Sequence, residues 1–365
     1  MGLSTLAASE IEGLKAKLAE LEARQNAIAE EMESSKSKSS FLDKTSLGGY
    51  GELHYNNLDG DGTGSDKDQI DLHRFVLMIN HKYSEKVTLY TEFEIEHALS
   101  SSTGPGEVEI EQAYVDFQYS DNHSVKAGVF LIPMGLLNET HEPDTFYGVE
   151  RNPVEKNILP TTWWEGGFSL AGQFTEQFGY DFAVHSGLDV DTASFAVRSG
   201  RQKTANANAK NFASTLRLRY SPISNLNLSL VGQFQDDTTQ STATTGGSAT
   251  LFNANLDYRV GGFGLRAVYA TWDLDGTGAA ALGADEQTGY YIEPSYKITE
   301  KVGVFTRYNN YDNKASASGN GKEQIDFGVN YWPVEQVVVK ADVQFQDNDN
   351  GSDQNGFNVG LGYSF

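Results

Sequence analysis

The chain contains no cysteine, only 8 prolines and 4 methionines, and no apolar run long enough to cross a bilayer as a helix. Without cysteine there is no disulfide framework, no thiolate metal site and no cysteine nucleophile. Positive charge is scarce as well: 27 Lys and Arg stand against 50 Asp and Glu among 365 residues, a formal charge of −23. That balance excludes the basic footprint that nucleic-acid binding needs, so no nucleic-acid partner is expected. Mean hydropathy is −0.45, the value of a water-soluble chain. What the sequence holds in quantity is glycine (37), phenylalanine (20) and tyrosine (18), residues of turns and strands.

The first forty residues differ from the rest. Residues 1–9 (MGLSTLAAS) read as an N-terminal remnant, since Leu6-Ala7-Ala8-Ser9 resembles the small-residue end of a signal peptide. From 10 to 33 Ala, Leu, Glu and Lys dominate and there is no proline. Ile11, Leu18, Gln25 and Met32 alternate with Leu14, Leu21 and Ile28 in steps of four and three, the a and d positions of a heptad. Ser9 and Glu12 form a capping box at its start. The pattern predicts a coiled coil about 36 Å long. Leucine at a and isoleucine at d favour three strands, with Gln25 setting register. Residues 34–46, rich in Ser and Lys, read as a flexible tether.

From residue 47 to 365 the period changes from 3.6 to 2. In Val87–Ile95, for example, Val87, Leu89, Phe93 and Ile95 share one face, and Tyr90, Glu92 and Glu94 the other. Sixteen segments read this way, beginning near 47, 69, 86, 107, 123, 165, 179, 212, 224, 249, 263, 287, 301, 322, 336 and 355. Short turns and long loops alternate between them, so that every long loop lies at one end. An all-β, 16-stranded antiparallel transmembrane barrel satisfies this pattern, preceded by the short α-helical coiled coil. Only a closed barrel leaves no unpaired strand edge in hydrocarbon. Low mean hydropathy then follows, because half of each strand faces water.

Tyrosine and phenylalanine recur near strand ends, where interfacial girdles sit. The last strand alternates without fault through Phe357, Val359, Leu361, Tyr363 and Phe365. That ending resembles the signal by which bacterial outer-membrane barrels are recognised for insertion, and it implies the barrel-assembly machinery as a partner.

Residues 128–136, Gly128-Val-Phe-Leu-Ile-Pro133-Met-Gly135-Leu136, together with Glu150-Arg151 and Pro160 ahead of Gly166-Gly167, carry a family resemblance. They resemble the trimeric porins of the Gram-negative outer membrane, above all the phosphate-selective porin O and P type. Where that group has a basic residue after the proline, this chain has Thr161-Thr162-Trp163-Trp164-Glu165. A coiled coil ahead of the barrel also resembles sugar- and dicarboxylate-transporting porins. The resemblance implies a homotrimer in outer-membrane lipid and lipopolysaccharide, its coiled coil in the periplasm, and passive passage of small hydrophilic solutes with a preference for anions such as phosphate or dicarboxylates. A structural tether from membrane to cell wall through the coiled coil is the second reading.

The third long loop, 131–165, corresponds to the loop that narrows the pore in porins. Its prolines and aromatics argue for order, and Glu139, Glu142, Asp144, Glu150, Arg151, Glu155 and Lys156 are expected to meet permeating solutes. Strand parity, with apolar residues outward, assigns Arg74, Glu92, Glu94, Glu96, Asp116, Arg217, Arg219, Arg259, Arg266, Lys297, Arg307 and Lys340 to the lumen wall; with Glu52, Lys126, Asp181, Asp257, Glu293, Asp326 and Asp342 the inward charges nearly balance, with bases on the later strands. The loop 189–211 is basic, with Arg198, Arg201, Lys203 and Lys210. No catalytic group is expected: none of the seven histidines precedes a serine by two residues, and lumen carboxylates in water keep ordinary acidity. No cofactor or metal-ligating residue is assigned. Asp59-Gly-Asp61-Gly-Thr63-Gly64-Ser65 partly resembles a calcium loop, although Ile70 stands where a ligating glutamate belongs.

Overall fold

The computed structural model describes residues 3–365, with side chains described for residue 15, for 17–33 and from 41 onward. The N-terminal unit, Met1–Ser46, holds one helix, α1 (Leu3–Leu42). The helix therefore begins before Ser9 and continues past Glu33, so the segments expected as remnant and tether are largely helical. One glycine and no proline interrupt Leu3–Leu42, and Ser and Lys between 34 and 40 are tolerated in a helix. Of the heptad positions, Ile11 and Leu14 lie outside the residues whose side chains are described. Leu18, Leu21, Ile28 and Met32 are 56–61% exposed, and Gln25 is exposed too.

The second unit, Leu47–Phe365, is the barrel. Its strands are β1 (Thr45–Gly60), β2 (Lys67–Ser84), β3 (Val87–Glu96), β4 (Val108–Ser120), β5 (His123–Leu131), β6 (Trp164–Gln173), β7 (Phe178–His185) and β8 (Ala213–Ile223). They continue as β9 (Leu226–Gln235), β10 (Ala249–Val260), β11 (Phe263–Leu274), β12 (Glu286–Thr299), β13 (Val302–Asp312), β14 (Lys322–Val334), β15 (Val337–Asn348) and β16 (Gln354–Ser364). All sixteen expected strands are present, and the barrel is closed, with β1 beside β16. That seam runs from Tyr50 opposite Ser364 to Gly60 opposite Gln354. Beyond it, Gly49 and Phe365 exchange backbone hydrogen bonds of 3.0 and 2.9 Å. Every wall strand thus has two neighbours, which a chain without water to satisfy its amides requires.

Apolar side chains project outward in rows, with Leu216, Leu218, Leu230, Ile292, Phe327 and Val343 at 38–53% exposure. Phe357, Val359 and Leu361 of β16 belong to this surface. No helix among the described residues is long and apolar enough to cross a membrane.

Two features depart from strict alternation. In β4 the ladder to β3 slips: Gln112 faces Glu92 and Ile110 faces Phe93, leaving Glu111 as an extra residue. Counting from Asp116 by twos sends Glu111 outward; the bulge turns it inward, where it is 1% exposed. The second departure is an apolar core inside the barrel. Ala183, Val231, Leu251, Val268, Ala270, Trp272 and Tyr291 project inward, and loops pack on them. Ile132, Met134, Val154, Ile158, Leu159 and Trp163 come from the third long loop, and Val190, Phe195 and Val197 from the fourth. Each large side chain so buried contributes about 1.5–3 kcal/mol, which folds these loops inward.

Candidate functional site

The third long loop spans 132–163 and contains a short helix, α2 (Pro153–Asn157). Its two ends are tied together at the wall. Ile132 N–H donates to the Trp163 carbonyl at 3.0 Å. Asn138 Nδ2 donates to the carbonyls of Ile132 (2.7 Å) and Trp163 (2.9 Å), and its Oδ1 accepts from Trp163 N–H at 2.7 Å. Asn138 is fully buried, so this clamp works without competition from water.

Glu155 braces the loop from within. Its Oε2 accepts from Leu136 N–H (2.8 Å) and Leu137 N–H (2.7 Å), and its Oε1 from the Tyr291 hydroxyl (2.8 Å). Being fully buried, it does not meet solutes as the sequence reading expected; these donors and Asn152 Nδ2 (3.3 Å), all neutral, claim its lone pairs. Asn152 caps α2 by accepting from Glu155 N–H at 2.8 Å.

The segment 143–149 lies across β13–β16. Lys340 Nζ donates to the Gly148 carbonyl (2.9 Å) and sits 3.6 Å from the Phe146 ring centre. Asp342 Oδ2 accepts from Val149 N–H (2.6 Å), and Asn330 Nδ2 donates to the Phe146 carbonyl (3.1 Å). Asp144 accepts from Ser364 Oγ at 3.0 Å. Gly360 and Gly362 make this approach possible, since a Cβ there would lie 3.0 Å from Val149 Cγ1 and 2.5 Å from Pro143 Cβ.

The loop therefore covers part of the expected lumen wall. Arg74, Glu92, Glu94, Arg307 and Lys340 project inward but are buried at 4% exposure or less. Arg307 lies between Glu293 (3.0 Å) and Asp326 (3.1 Å), and Arg74 Nε lies 2.7 Å from Glu52. These are internal pairs, so the near balance counted from sequence does not describe the wetted surface. His141 plugs the loop onto β1, β3 and β4. Its Nε2 lies 2.8 Å from the Tyr50 hydroxyl and 3.3 Å from Glu111 Oε2. Burial disfavours the imidazolium, but Glu111 and Glu92 outweigh burial and raise the His141 pKa.

On the wetted wall, pairs of arginines share single carboxylates. Arg217 and Arg219 share Asp181 at 2.8 and 2.9 Å, and Arg217 also pairs with Glu139 of the loop. Burial works against the charge on Glu139, yet Arg217 and Lys126 hold its pKa below the usual carboxylate value. Arg259 and Arg266 share Asp257 at 2.8 and 3.3 Å. Lys297 is exposed and stands over the Trp332 ring at 4.9 Å. Arg259, Arg266 and Lys297, together with Asp257, Glu293, Glu300 and Glu335, line a cavity of about 940 Å³ beside the loop. Glu96 and Asp116 are half-buried on β3 and β4, and Glu142 is half-buried on the loop.

On the long-loop side, the basic fourth loop folds onto the third. Arg198 Nη1 donates to the carbonyls of Lys156 (2.6 Å) and Thr161 (2.9 Å), and Arg201 donates to those of Pro160 (3.3 Å) and Thr162. Burial, then Arg201 and Arg151, lower the Arg198 pKa to about 9. Burial, then Arg74, lower that of Arg151, whose buried Nη1 has no hydrogen-bond partner. Lys156 reaches solvent, yet protein around it displaces much of its hydration; that desolvation, then Arg198, Arg151 and Lys67, lower its pKa against the pull of Glu150. Glu150 is half-buried and bonded to His54 (3.3 Å) and Asn56 (3.0 Å). Burial opposes its charge, but His54 and Lys156 hold its pKa well below the usual value. The two loops thus bring Arg151, Lys156, Arg198 and Arg201 together, with Glu150 acting on Lys156 and Glu96, Glu109 and Glu111 on Arg201.

Sequence reasoning missed Glu111 because of the bulge, and Asn138 because neutral clamps carry no pattern signal. It misses the inner apolar patch because outward-facing apolar rows are the rule for a water-filled barrel, and here loops supply apolar partners inside.

The model of the Gram-negative porin family matches residues 25–365. An uncharacterized protein of Aquifex aeolicus is 29% identical over 362 residues, covering 88% of this chain and 80% of that one. Among solved structures, the anion-selective porin from Comamonas acidovorans matches with a TM-score of 0.65 at 14% identity, covering 88% of this chain and 99% of that chain. The trimer form of the Vibrio cholerae outer membrane protein OmpT matches at 0.57 and 12% identity, covering 88% and 99%.

Proposed function

The chain belongs to the Gram-negative porin family and is an outer-membrane channel rather than an enzyme; from that premise we propose that it passes small anionic solutes, phosphate or dicarboxylates among them, as one lumen of a homotrimer. The observation that carries the anion preference is the group Arg151, Lys156, Arg198 and Arg201, in which two loops set four cations at the constriction and burial, then like charge, lower the pKa of Lys156 and Arg198. A passing carboxylate or phosphate adds an acceptor beside Arg151, whose buried Nη1 has no hydrogen-bond partner. Farther along, each of Asp181 and Asp257 is divided between two arginines. The anion-selective porin among the structural neighbours is consistent with this reading.

Two observations support the trimer. One is the trimer form of a barrel with the same fold. The other is the open stripe Leu18, Leu21, Ile28 and Met32 on α1, which costs free energy in water until other helices cover it. The coiled coil belongs on the periplasmic side, where both ends of the barrel emerge with the short turns. The acidic long loops meet lipopolysaccharide at the outer surface, with calcium as a bridging ion, and the β16 terminus is read by the assembly machinery. Swelling of liposomes that contain the protein tests the reading. Small dicarboxylates should enter faster than neutral sugars of equal size, and equal or reversed rates would remove the anion preference.

A further inference from the structure

Three of the seven histidines meet on the lumen side of β1–β3, toward the long loops. His54 lies on β1, His73 on β2 and His97 directly after β3. The His54 and His73 rings stack at 4.7 Å with 14° between their planes, and His97 stands edge-on to His73 at 5.6 Å. Asp71 completes the group: its Oδ2 is 2.7 Å from His97 Nδ1 and 3.4 Å from His73 Nδ1. His73 and Arg74 are consecutive, yet both reach the inward residues of β1, His73 by stacking on His54 and Arg74 by pairing with Glu52. Strict alternation therefore hides His73 from a sequence reading.

We propose that Asp71, His73 and His97 bind a first-row transition-metal dication of the zinc or copper class from the solution that fills the channel mouth. The donor set is the first argument. Two imidazoles and a carboxylate suit a borderline cation, whereas calcium and magnesium take oxygen ligands. Geometry is the second. Bonds of about 2.1 Å in a tetrahedron place donor atoms about 3.4 Å apart; Asp71 and His73 already stand 3.4 Å apart, and Asp71 and His97, at 2.7 Å, need only separate slightly. All three donors lie within 4.8 Å of one another.

Access and support complete the case. The side chains of Asp71, His73 and His97 are 16%, 21% and 31% exposed, so an ion can enter without unfolding the wall. The His54 ring holds the plane of His73, and His54 is itself fixed by Glu52 at 3.1 Å and Glu150 at 3.3 Å, the kind of outer support that orients a ligand ring. His97 and Ala98 both have left-handed backbone, φ 52° and 57°. That turn brings the His97 N–H to the His73 carbonyl at 3.2 Å, so two donors are joined through their backbones. Such conformations in non-glycine residues are strained and concentrate at functional sites. Three protein donors leave coordination positions for water or for an anionic solute at the mouth.

Untagged full-length protein, folded in detergent and freed of metal, tests the site with Zn²⁺ by calorimetry and with Co²⁺ by visible absorption. One ion should bind per chain, with the intense Co²⁺ band of a tetrahedral nitrogen–oxygen site. Asp71→Asn and His97→Ala should each weaken binding tenfold or more, while His123→Ala leaves it unchanged. Folding of each variant is followed by heat-modifiable gel migration, separately from metal. Binding that survives both substitutions in folded barrels, or no binding and no Co²⁺ band in the wild type, overturns the proposal. Neither result bears on solute passage, which swelling measures by itself.

Discussion

Asn138 and Trp163 close the constriction loop on itself: the Asn138 carboxamide donates to the Trp163 carbonyl and accepts from the Trp163 N–H at 2.9 and 2.7 Å. Residues 25 positions apart are thereby held as one unit at the wall. Replacing Asn138 with Ala leaves a buried N–H and two carbonyls without this partner, at a cost of about 1–3 kcal/mol. The variant should still form a barrel but show a lower thermal midpoint and noisier open-channel current. A quiet, wild-type current would mean that the loop is held by other contacts.

Lys156 tests the electrostatic reading with little structural cost, because its side chain is exposed and its backbone N–H and carbonyl make the hydrogen bonds to Asn152 and Arg198. Lys156→Glu should move the zero-current potential in a salt gradient toward cations while the barrel stays folded. No movement would show that ions pass without sensing this rim.

His141 predicts a pH dependence. Its raised pKa means that the folded loop binds the proton more tightly than the unfolded chain does. The contribution is complete below the ordinary histidine pKa of about 6.5 and is lost as pH rises through the raised value. The groups that face it are Glu92, Glu111 and Tyr50, with Arg74 behind them. Loop anchoring, read as thermal midpoint or current noise, should therefore weaken toward alkaline pH, and His141→Gln should flatten that dependence.

The lipid-facing surface predicts a different penalty. Leu230 projects outward from the middle of β9 at 53% exposure. Leu230→Arg should destabilise the barrel in a bilayer by about 2–4 kcal/mol, measured by urea unfolding from liposomes. A cost near zero would place this face against water.

Helix α1 predicts the assembly. Leu21→Glu with Ile28→Glu puts charge on the open stripe, so trimers should dissociate at a lower temperature on native gels while each barrel keeps its fold. Trimers of unchanged resistance would assign assembly to the barrel wall alone.

Most of the barrel is legible in sequence because its physics is local. Period 2, alternating turn lengths and the run from Phe357 to Phe365 need no knowledge of distant contacts. The site is less legible because it is made by contacts between distant residues. Glu155 reads as a pore charge until Leu136, Leu137 and Tyr291 are seen to bind it. Lys340 reads as a wall charge until Phe146 and Gly148 cover it. Trp272 and Val268 face inward because the loop supplies apolar partners, which no rule about a polar lumen foresees. The helix α1 outran its expected ends because serine and lysine permit helix as readily as coil.

The central claim is a water-filled channel that prefers anions, and the zero-current potential of the wild-type protein in a planar bilayer under a salt gradient tests it most directly. Stable conductance with a potential of the sign set by anion flux is the predicted result. A potential of the opposite sign, or a membrane that stays closed to ions, would contradict it.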